Sequence, residues 1–263
     1  MTQPSRPVFP PATPLQPRKR AILVGASSGI GAALARQLAK EGYSLALLAR
    51  RMDLLEELCA QINREAGETR ALPYAHDVTG YDTVPALLQK IVQDLGGLDL
   101  FIYNSGVSHM AGLKNYDFEK DRLTTEVNYL GALAWLNPVA AMFQSAKSGQ
   151  IVGMSSVAGD RGRVGNPSYN ASKAALTSYL EALRNRLSRY GVNVLTLKPG
   201  YVETDLLKGA KKLFWVVPAE AAARDMVNAI RKRKQTVYVP ARWRWLMLVI
   251  IHIPSVIFRR LTF

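Results

Sequence analysis

From Arg20 onward, short apolar runs alternate with longer stretches whose apolar residues recur at helical spacing. Ala21-Ile22-Leu23-Val24 is apolar at every position and is followed by glycine, which predicts a strand buried on both faces. Runs of the same kind lie at Leu45–Ala49, Ala71–His76, Leu98–Tyr103, Gln150–Met154, Val192–Leu197 and Thr236–Val239. Between them, Ile30–Lys40, Asp53–Glu65, Val84–Leu95, Phe118–Gln144, Pro167–Tyr190 and Ala219–Arg231 read as helices. Gly42, Gly67, Gly96 and Gly191 follow four of these helices, where a glycine closes a helix in the left-handed conformation. Pro138 predicts a bend in the longest one. Strands that are apolar throughout, interleaved with helices, predict a parallel sheet of about seven strands covered on both faces. The expectation is a single doubly wound α/β domain over residues 19–240, with no internal repeat.

A length of 263 residues suits one hydrophobic core. The single cysteine, Cys59, excludes an internal disulfide framework and leaves no cysteine cluster for a metal. A reducing, cytoplasmic setting follows as the simplest expectation. Residues 1–18 carry six prolines and no apolar stretch, and predict a disordered, polyproline-like tail rather than a signal peptide.

The formal charge of +14 is unevenly spread. Residues 1–20 hold four cations and no acid, and residues 198–263 hold thirteen Lys/Arg against four Asp/Glu. The body between them is close to neutral. Basic ends attract polyanions, meaning nucleic acid, an anionic membrane surface or a phosphorylated substrate; the alternative is that they serve solubility alone. No reader motif for nucleic acid accompanies the charge, so nucleic acid is the weakest of these partners.

Two segments carry candidate chemistry. Gly25-Ala26-Ser27-Ser28-Gly29-Ile30-Gly31 joins the first strand to the first helix. A turn there needs positive φ and close backbone approach, and a helix N-terminus behind it binds phosphate, which predicts a dinucleotide site. The second strand ends Ala49-Arg50-Arg51, without the acid that would hold a free ribose. Arginine accommodates a 2′-phosphate, which predicts NADPH over NADH. The competing reading makes Arg50 and Arg51 the solvated start of the next helix.

The second segment is Tyr169-Asn170-Ala171-Ser172-Lys173, early in a helix, where positions i and i+4 share a face. An ammonium beside a phenol favours the phenolate and brings a tyrosine pKa toward working pH. Ser156 ends a strand at the carboxyl edge of the sheet, where α/β sheets bind ligands, and its hydroxyl can polarise a carbonyl oxygen. Each piece occurs by chance, since a serine after a strand is commonly a helix cap. Together, behind a phosphate loop, they point to hydride transfer with a managed proton. No metal site is expected.

In these motifs the chain resembles the short-chain dehydrogenase/reductase family, from about Arg20 to Pro240. The resemblance implies a Rossmann fold and assigns catalytic roles to Asn128, Ser156, Tyr169 and Lys173. Asn128 would hold a water of the proton relay and Ser156 would orient the substrate oxygen. Tyr169 would be the general acid, and Lys173 would bind the nicotinamide ribose and lower the tyrosine pKa. It also implies cofactor contacts at Gly25, Ser27, Ser28, Gly29, Ile30, Gly31, Arg50 and Arg51. Further contacts are implied at Asp77 and Val78 near the adenine, at Asn104 and Gly106, and at Pro199, Gly200, Val202 and Thr204 around the nicotinamide. Val24 replaces the family's usual threonine, and Tyr103-Asn104-Ser105-Gly106 keeps only the asparagine and glycine of Asn-Asn-Ala-Gly. A homo-oligomer, dimer or tetramer, is also implied.

The family core does not explain residues 241–263. Trp243 and Trp245 among arginines, ahead of the run Leu246–Ile253, resemble an interfacial membrane anchor. The run is too short to span a bilayer. The alternative is an apolar element packed on the domain or on a second subunit. His252-Ile253-Pro254 and the closing arginines, with Gly159–Arg163, resemble the reductase of the decaprenylphosphoryl ribose epimerase system, which implies a keto-sugar on a polyprenyl phosphate. Leu206-Leu207-Lys208 and Lys211–Trp215 suit a long apolar substrate with an anionic head, as in long-chain keto-lipids. Against a lipid-directed reductase at the inner face of a membrane stand two alternatives: a soluble reductase of a small ketone or steroid, and a non-catalytic NADP-binding sensor or scaffold.

Overall fold

In the computed structural model, residues 19–108, 116–207 and 213–261 are described. The proline-rich segment expected as a tail, and Lys208, Lys211 and Lys212, lie outside the described residues.

Seven strands form one parallel sheet: β1 (Lys19–Val24), β2 (Tyr43–Ala49), β3 (Ala71–Ala75), β4 (Leu100–Tyr103), β5 (Gln150–Met154), β6 (Asn193–Pro199) and β7 (Thr236–Val239). Their order is β3-β2-β1-β4-β5-β6-β7. The chain winds outward from β1 to β3, then returns to the other side of β1. The crevice outside the carboxyl ends of β1 and β4 is therefore the topological switch point, where such sheets bind ligands.

Alternation along β1 explains why both faces must be covered. Ala21 and Leu23 pack with Leu34 of α1 (Gly29–Lys40), Leu55 of α2 (Met52–Ala66) and Met226 of α7 (Ala219–Arg231). Ile22 and Val24 pack with Leu88 of α3 (Val84–Leu95), Trp135 of α5 (Gly131–Ala146) and Leu180 of α6 (Pro167–Leu187). All four β1 residues are almost fully buried. The expected parallel sheet with two helical layers is thus the observed one, with element ends shifted by one or two residues. His76 falls just beyond β3 but still donates its N–H to Ala49 O at 3.0 Å, extending the ladder by one rung.

The expected bend at Pro138 is not where the long helix departs from regularity. It begins as α4 (Phe118–Thr125), widens into a π turn at Glu126–Leu130, and continues as α5 through Pro138. π turns inside α-helices often mark functional positions, and this one contains Asn128.

Residues beyond β7 form α8 (Trp243–His252) and α9 (Ser255–Phe258). One face of α8 packs on the domain, with Trp243, Met247 and Ile250 buried beside Val157. This is the packing expected of an apolar C-terminal element, but it uses only one side of the helix.

Candidate active site

The first turn of the site is built by glycines. Gly25 and Gly29 have φ of 86° and 53°, values that side chains disfavour. A Cβ at Gly25 would sit 2.6 Å from Ser105 N, and one at Gly31 would run into the Gly25 carbonyl. Asn104 Nδ2 donates to that carbonyl at 2.7 Å, tying the end of β4 to the turn. Ser28, the α1 N-cap, makes no side-chain capping bond, and no acid occupies the first turn. The leading N–H groups and positive helix end are left to face an anion.

Arg51 reaches over this turn. Its Nη2 donates to Ser28 Oγ at 2.7 Å and to Ser27 Oγ at 3.1 Å. Arg50 stands 3.9 Å from Asp77, whose carboxyl lies below its ordinary pKa although burial opposes this; the Thr79 hydrogen bonds and the Arg50 charge outweigh it. Both arginines therefore turn toward the glycine turn and Asp77, not simply away into solvent as the start of α2. A dinucleotide pyrophosphate fits the glycine cradle, and a phosphate on the adenosine ribose fits the two guanidiniums.

The second half of the site sits on β5, α6 and the π turn. Ser156 follows β5, and its Oγ accepts from Ala158 N at 3.1 Å as a short 3-10 turn begins. It is the cap that a serine after a strand commonly is, and it also points into the site. Asn166 caps α6 by accepting from Tyr169 N, with Pro167 at the first helical position. That start sets the phase of α6 and turns Tyr169 and Lys173 to the same side. Lys173 is 3% exposed and donates from Nζ to Met154 O at 2.9 Å. Burial lowers its pKa to about 8. Asn128 is fully buried, exchanges two hydrogen bonds with the Val107 backbone at 2.8 and 2.9 Å, and donates to Ser172 Oγ at 3.0 Å. A Cβ on Gly106 would be 3.1 Å from Lys173 Nζ and 3.3 Å from Asn128 Oδ1, a tight fit in which the lysine end or the asparagine would have to give by a few tenths of an ångström.

Tyr169 departs from expectation in one respect. Burial raises its phenol pKa, and the groups pulling it down are the Ser156 hydroxyl, by a hydrogen bond, and Arg163, by its charge. Lys173 Nζ lies 5.7 Å from the ring centroid and is engaged with Met154 O instead. The lysine is near the tyrosine but does not set its titration in this geometry.

A cavity of about 500 Å³ runs along these groups. It is lined by Gly25, Ser27, Ser28, Gly29, Ile30, Arg50, Arg51, Asp77 and Val78 at one end. Asn104, Gly106, Ser156, Tyr169, Lys173, Pro199, Gly200, Val202 and Thr204 line the rest. Of the residues singled out by sequence, Gly31 and Asn128 stand behind the wall, the first packing the turn and the second the π turn. The cavity also touches His76, Arg163 and Asn166, to which sequence reasoning gave no role in the site, and Leu206, Leu207 and Leu213 from the stretch expected to suit an apolar substrate. His76 Nε2 accepts from Trp135 Nε1 at 3.0 Å, and burial lowers its pKa, which keeps it neutral. Nothing local in the sequence separates Arg163, which lines the cavity, from Arg161, which packs on Ile250, Ile251 and Phe258. Among the described residues no His, Cys, Asp and Glu cluster could hold a metal.

A switch-point crevice with a glycine cradle, beside serine, tyrosine and lysine on one cavity, defines a nucleotide-dependent oxidoreductase site. The short chain dehydrogenase family profile matches residues 19–213, and the chain belongs to that family. It is 33% identical over 233 residues to an uncharacterized oxidoreductase of Mycobacterium tuberculosis, covering 88% of this chain and 92% of that protein. It is 30% identical over 226 residues to the ketoacyl reductase HetN of Nostoc sp., covering 84% and 78%. Among solved structures, it resembles an alcohol dehydrogenase of Thermococcus sibiricus complexed with 5-hydroxy-NADP, with TM-score 0.75 and 25% identity over 84% of this chain and 95% of that one. A short-chain dehydrogenase of Sphingobium yanoikuyae in complex with NADPH shares the fold, with TM-score 0.78 and 24% identity over 90% and 97%.

Proposed function

We propose that this chain is an NADPH-dependent reductase that converts a ketone to an alcohol on a substrate with a long apolar portion. The observation that carries the reading is that Ser156, Tyr169 and Lys173 share one cavity with a glycine turn overhung by Arg51. When bound, the reduced nicotinamide supplies the hydride. Gly25 and Gly29 would receive the pyrophosphate, Arg50 and Arg51 the ribose phosphate, and Pro199, Gly200, Val202 and Thr204 would flank the nicotinamide.

The chain's own groups manage the oxygen. The Ser156 hydroxyl donates a hydrogen bond to the carbonyl oxygen and holds it beside Tyr169. Tyr169 gives its phenolic proton to that oxygen as the alcohol forms. Its raised pKa keeps it protonated at neutral pH, which suits the reductive direction. The Lys173 ammonium, largely charged at neutral pH with a pKa of about 8, would hold the ribose hydroxyls of the bound cofactor, and the Ser156 hydroxyl and the Arg163 charge favour the phenolate left behind. Asn128 fixes Val107 and Ser172, and so holds the strand end and α6 at one spacing.

The likeness to a ketoacyl reductase and to an NADP-type complex supports the reaction and the cofactor. An apolar substrate is supported by Val157, Tyr201, Leu206, Leu207 and Leu213 in the wall, with Arg163 nearby for a polar or anionic head. A keto-sugar on a polyprenyl phosphate and a long-chain keto-lipid both have that form.

NADPH oxidation with ketones that carry or lack an alkyl tail tests the proposal. Tyr169→Phe should lower turnover about a thousandfold, within the span of general acid catalysis, and leave NADPH binding intact. A phenylalanine variant as active as the wild type would overturn it. So would a protein that binds NADPH yet reduces no ketone, which would fit a sensor.

A further inference from the structure

We infer that the outer face of α8 and α9, together with the loop at Phe214–Val216, is a docking surface for an anionic phospholipid monolayer. The docking rests on this surface alone; the further claim that the substrate enters from that monolayer rests on the reductase reading above.

The helix α8 is apolar on both sides. Trp243, Met247 and Ile250, spaced four and three residues apart, form its buried stripe. The opposite side presents Trp245 at 67% exposure and Val249 at 63%, with Leu248 and Ile251, and α9 continues the patch with Val256 and Ile257. A helix that is hydrophobic all round normally has cover on every side. Here the described residues cover one side only.

The patch adjoins the cavity. Trp243 packs edge-on to Tyr201 at 5.4 Å and against Phe214 at 5.3 Å, and its indole fills the space that a side chain on Gly200 would need. Arg242 lies over the Trp215 ring at 5.0 Å. On the other side, Arg161 donates to the carbonyls of Ile250 and Ile251 at 2.7 and 3.0 Å and lies over the Phe258 ring at 3.9 Å. The loops bearing Arg163 and Leu213, which line the cavity, are thus both attached to this hairpin.

Charge selects the occupant. No Asp or Glu occurs after Asp225, whereas Arg242, Arg244, Arg259 and Arg260 border the patch and Arg231–Lys234 add four more cations. A second copy of this chain would bring like charges against like across a shared apolar face. Anionic headgroups would pair with the arginines while tryptophan and aliphatic side chains enter the acyl boundary. No described helix is long and apolar enough to cross a membrane, so the contact is a surface one.

The test is co-flotation of the full chain with vesicles of phosphatidylcholine alone, or of phosphatidylcholine with phosphatidylglycerol. It is run on the wild type and on Trp245→Ser/Val249→Ser/Ile257→Ser, three exposed positions whose change spares the buried stripe. A second variant, Arg242→Gln/Arg244→Gln/Arg259→Gln/Arg260→Gln, keeps the apolar patch. Sedimentation velocity and NADPH titration accompany each. Binding to the anionic vesicles should exceed binding to neutral ones, weaken with salt, fall at least about a hundredfold in the glutamine variant, since each cation near an anionic surface contributes roughly fivefold, and fall in the serine variant through lost apolar burial. NADPH affinity should be unchanged in both. A wild type that ignores both vesicles overturns the inference. So does a wild-type dimer that the serine variant splits, which would assign the face to a second copy. Loss of NADPH binding by the wild type would strike the reductase reading and leave the docking result to stand or fall by itself.

Discussion

Replacing Lys173 with methionine should make the protein more stable at neutral pH and inactive as a reductase. The ammonium is 3% exposed, with Met154 O as its hydrogen-bond acceptor. Burial lowers the pKa from 10.5 to about 8. Below about 8 both folded and unfolded chains carry the proton, and the contribution is flat. Between about 8 and 10.5 the unfolded chain binds a proton that the native chain does not, so stability rises with pH across that window. At ~1.4 kcal/mol per pH unit, the gap between the two values corresponds to about 3 kcal/mol. Tyr74, Tyr169, Tyr238 and Cys59 are shifted upward and act in the opposite sense at high pH, so the effect must be read as a difference between two proteins. Urea unfolding of wild type and Lys173→Met at about pH 7 and about pH 10 is the assay, with midpoints and slopes compared. The advantage of the methionine variant should shrink by most of those ~3 kcal/mol between the two pH values. A stability difference that stays constant across the window would refute the reasoning, because it would mean that Lys173 titrates as it does in the unfolded chain.

Other consequences follow from single contacts. Gly31→Ala should abolish measurable NADPH binding by titration and lower the melting temperature, because its Cβ meets the Gly25 carbonyl and backbone cannot yield as a side chain can. Trp135→Phe leaves His76 Nε2 without its buried donor and should cost about 1–3 kcal/mol in urea unfolding, with unperturbed turnover if His76 serves only packing. Asn128→Ala removes the partners of both Val107 backbone groups; it should cost at least about 2 kcal/mol and should be rescued in part by Asn128→Asp, which keeps the acceptor for Val107 N.

The fold was legible because its signal is local. Each strand is apolar at nearly every position, and Gly67, Gly96 and Gly191 stand at helix ends with positive φ. The glycine turn and the Tyr169–Lys173 spacing were legible for the same reason, since each is a few residues long and sits at a predictable strand or helix end. What escaped depends on residues far apart in the chain. His76 and Trp135 are fifty-nine residues apart, and nothing near either one signals the pair. The π turn at Glu126–Leu130 has no local sign in the sequence comparable to Pro138, and the contacts that Asn128 makes there, with Val107 and Ser172, come from distant parts of the chain. The groups that bear on the Tyr169 phenol in this geometry are not the one expected from the i,i+4 spacing and the family resemblance. The lysine shares the helix face, but Met154 O holds its ammonium, and Ser156 and Arg163 approach the tyrosine from another loop. The C-terminal segment offered two readings in sequence, packed or interfacial, and α8 shows why: one stripe is packed while the other side is exposed.

The central claim is a site built for a phosphorylated dinucleotide. Titration of the protein with NADPH and NADH, followed by nicotinamide fluorescence in wild type and in Arg50→Ala/Arg51→Ala, tests it most directly. Charge-assisted hydrogen bonds from two guanidiniums predict an NADPH preference of roughly tenfold to a hundredfold, lost in the double variant while NADH binding persists. Equal affinity for both cofactors, unchanged in the variant, would contradict the account of the arginines, and binding of neither would contradict the oxidoreductase site itself.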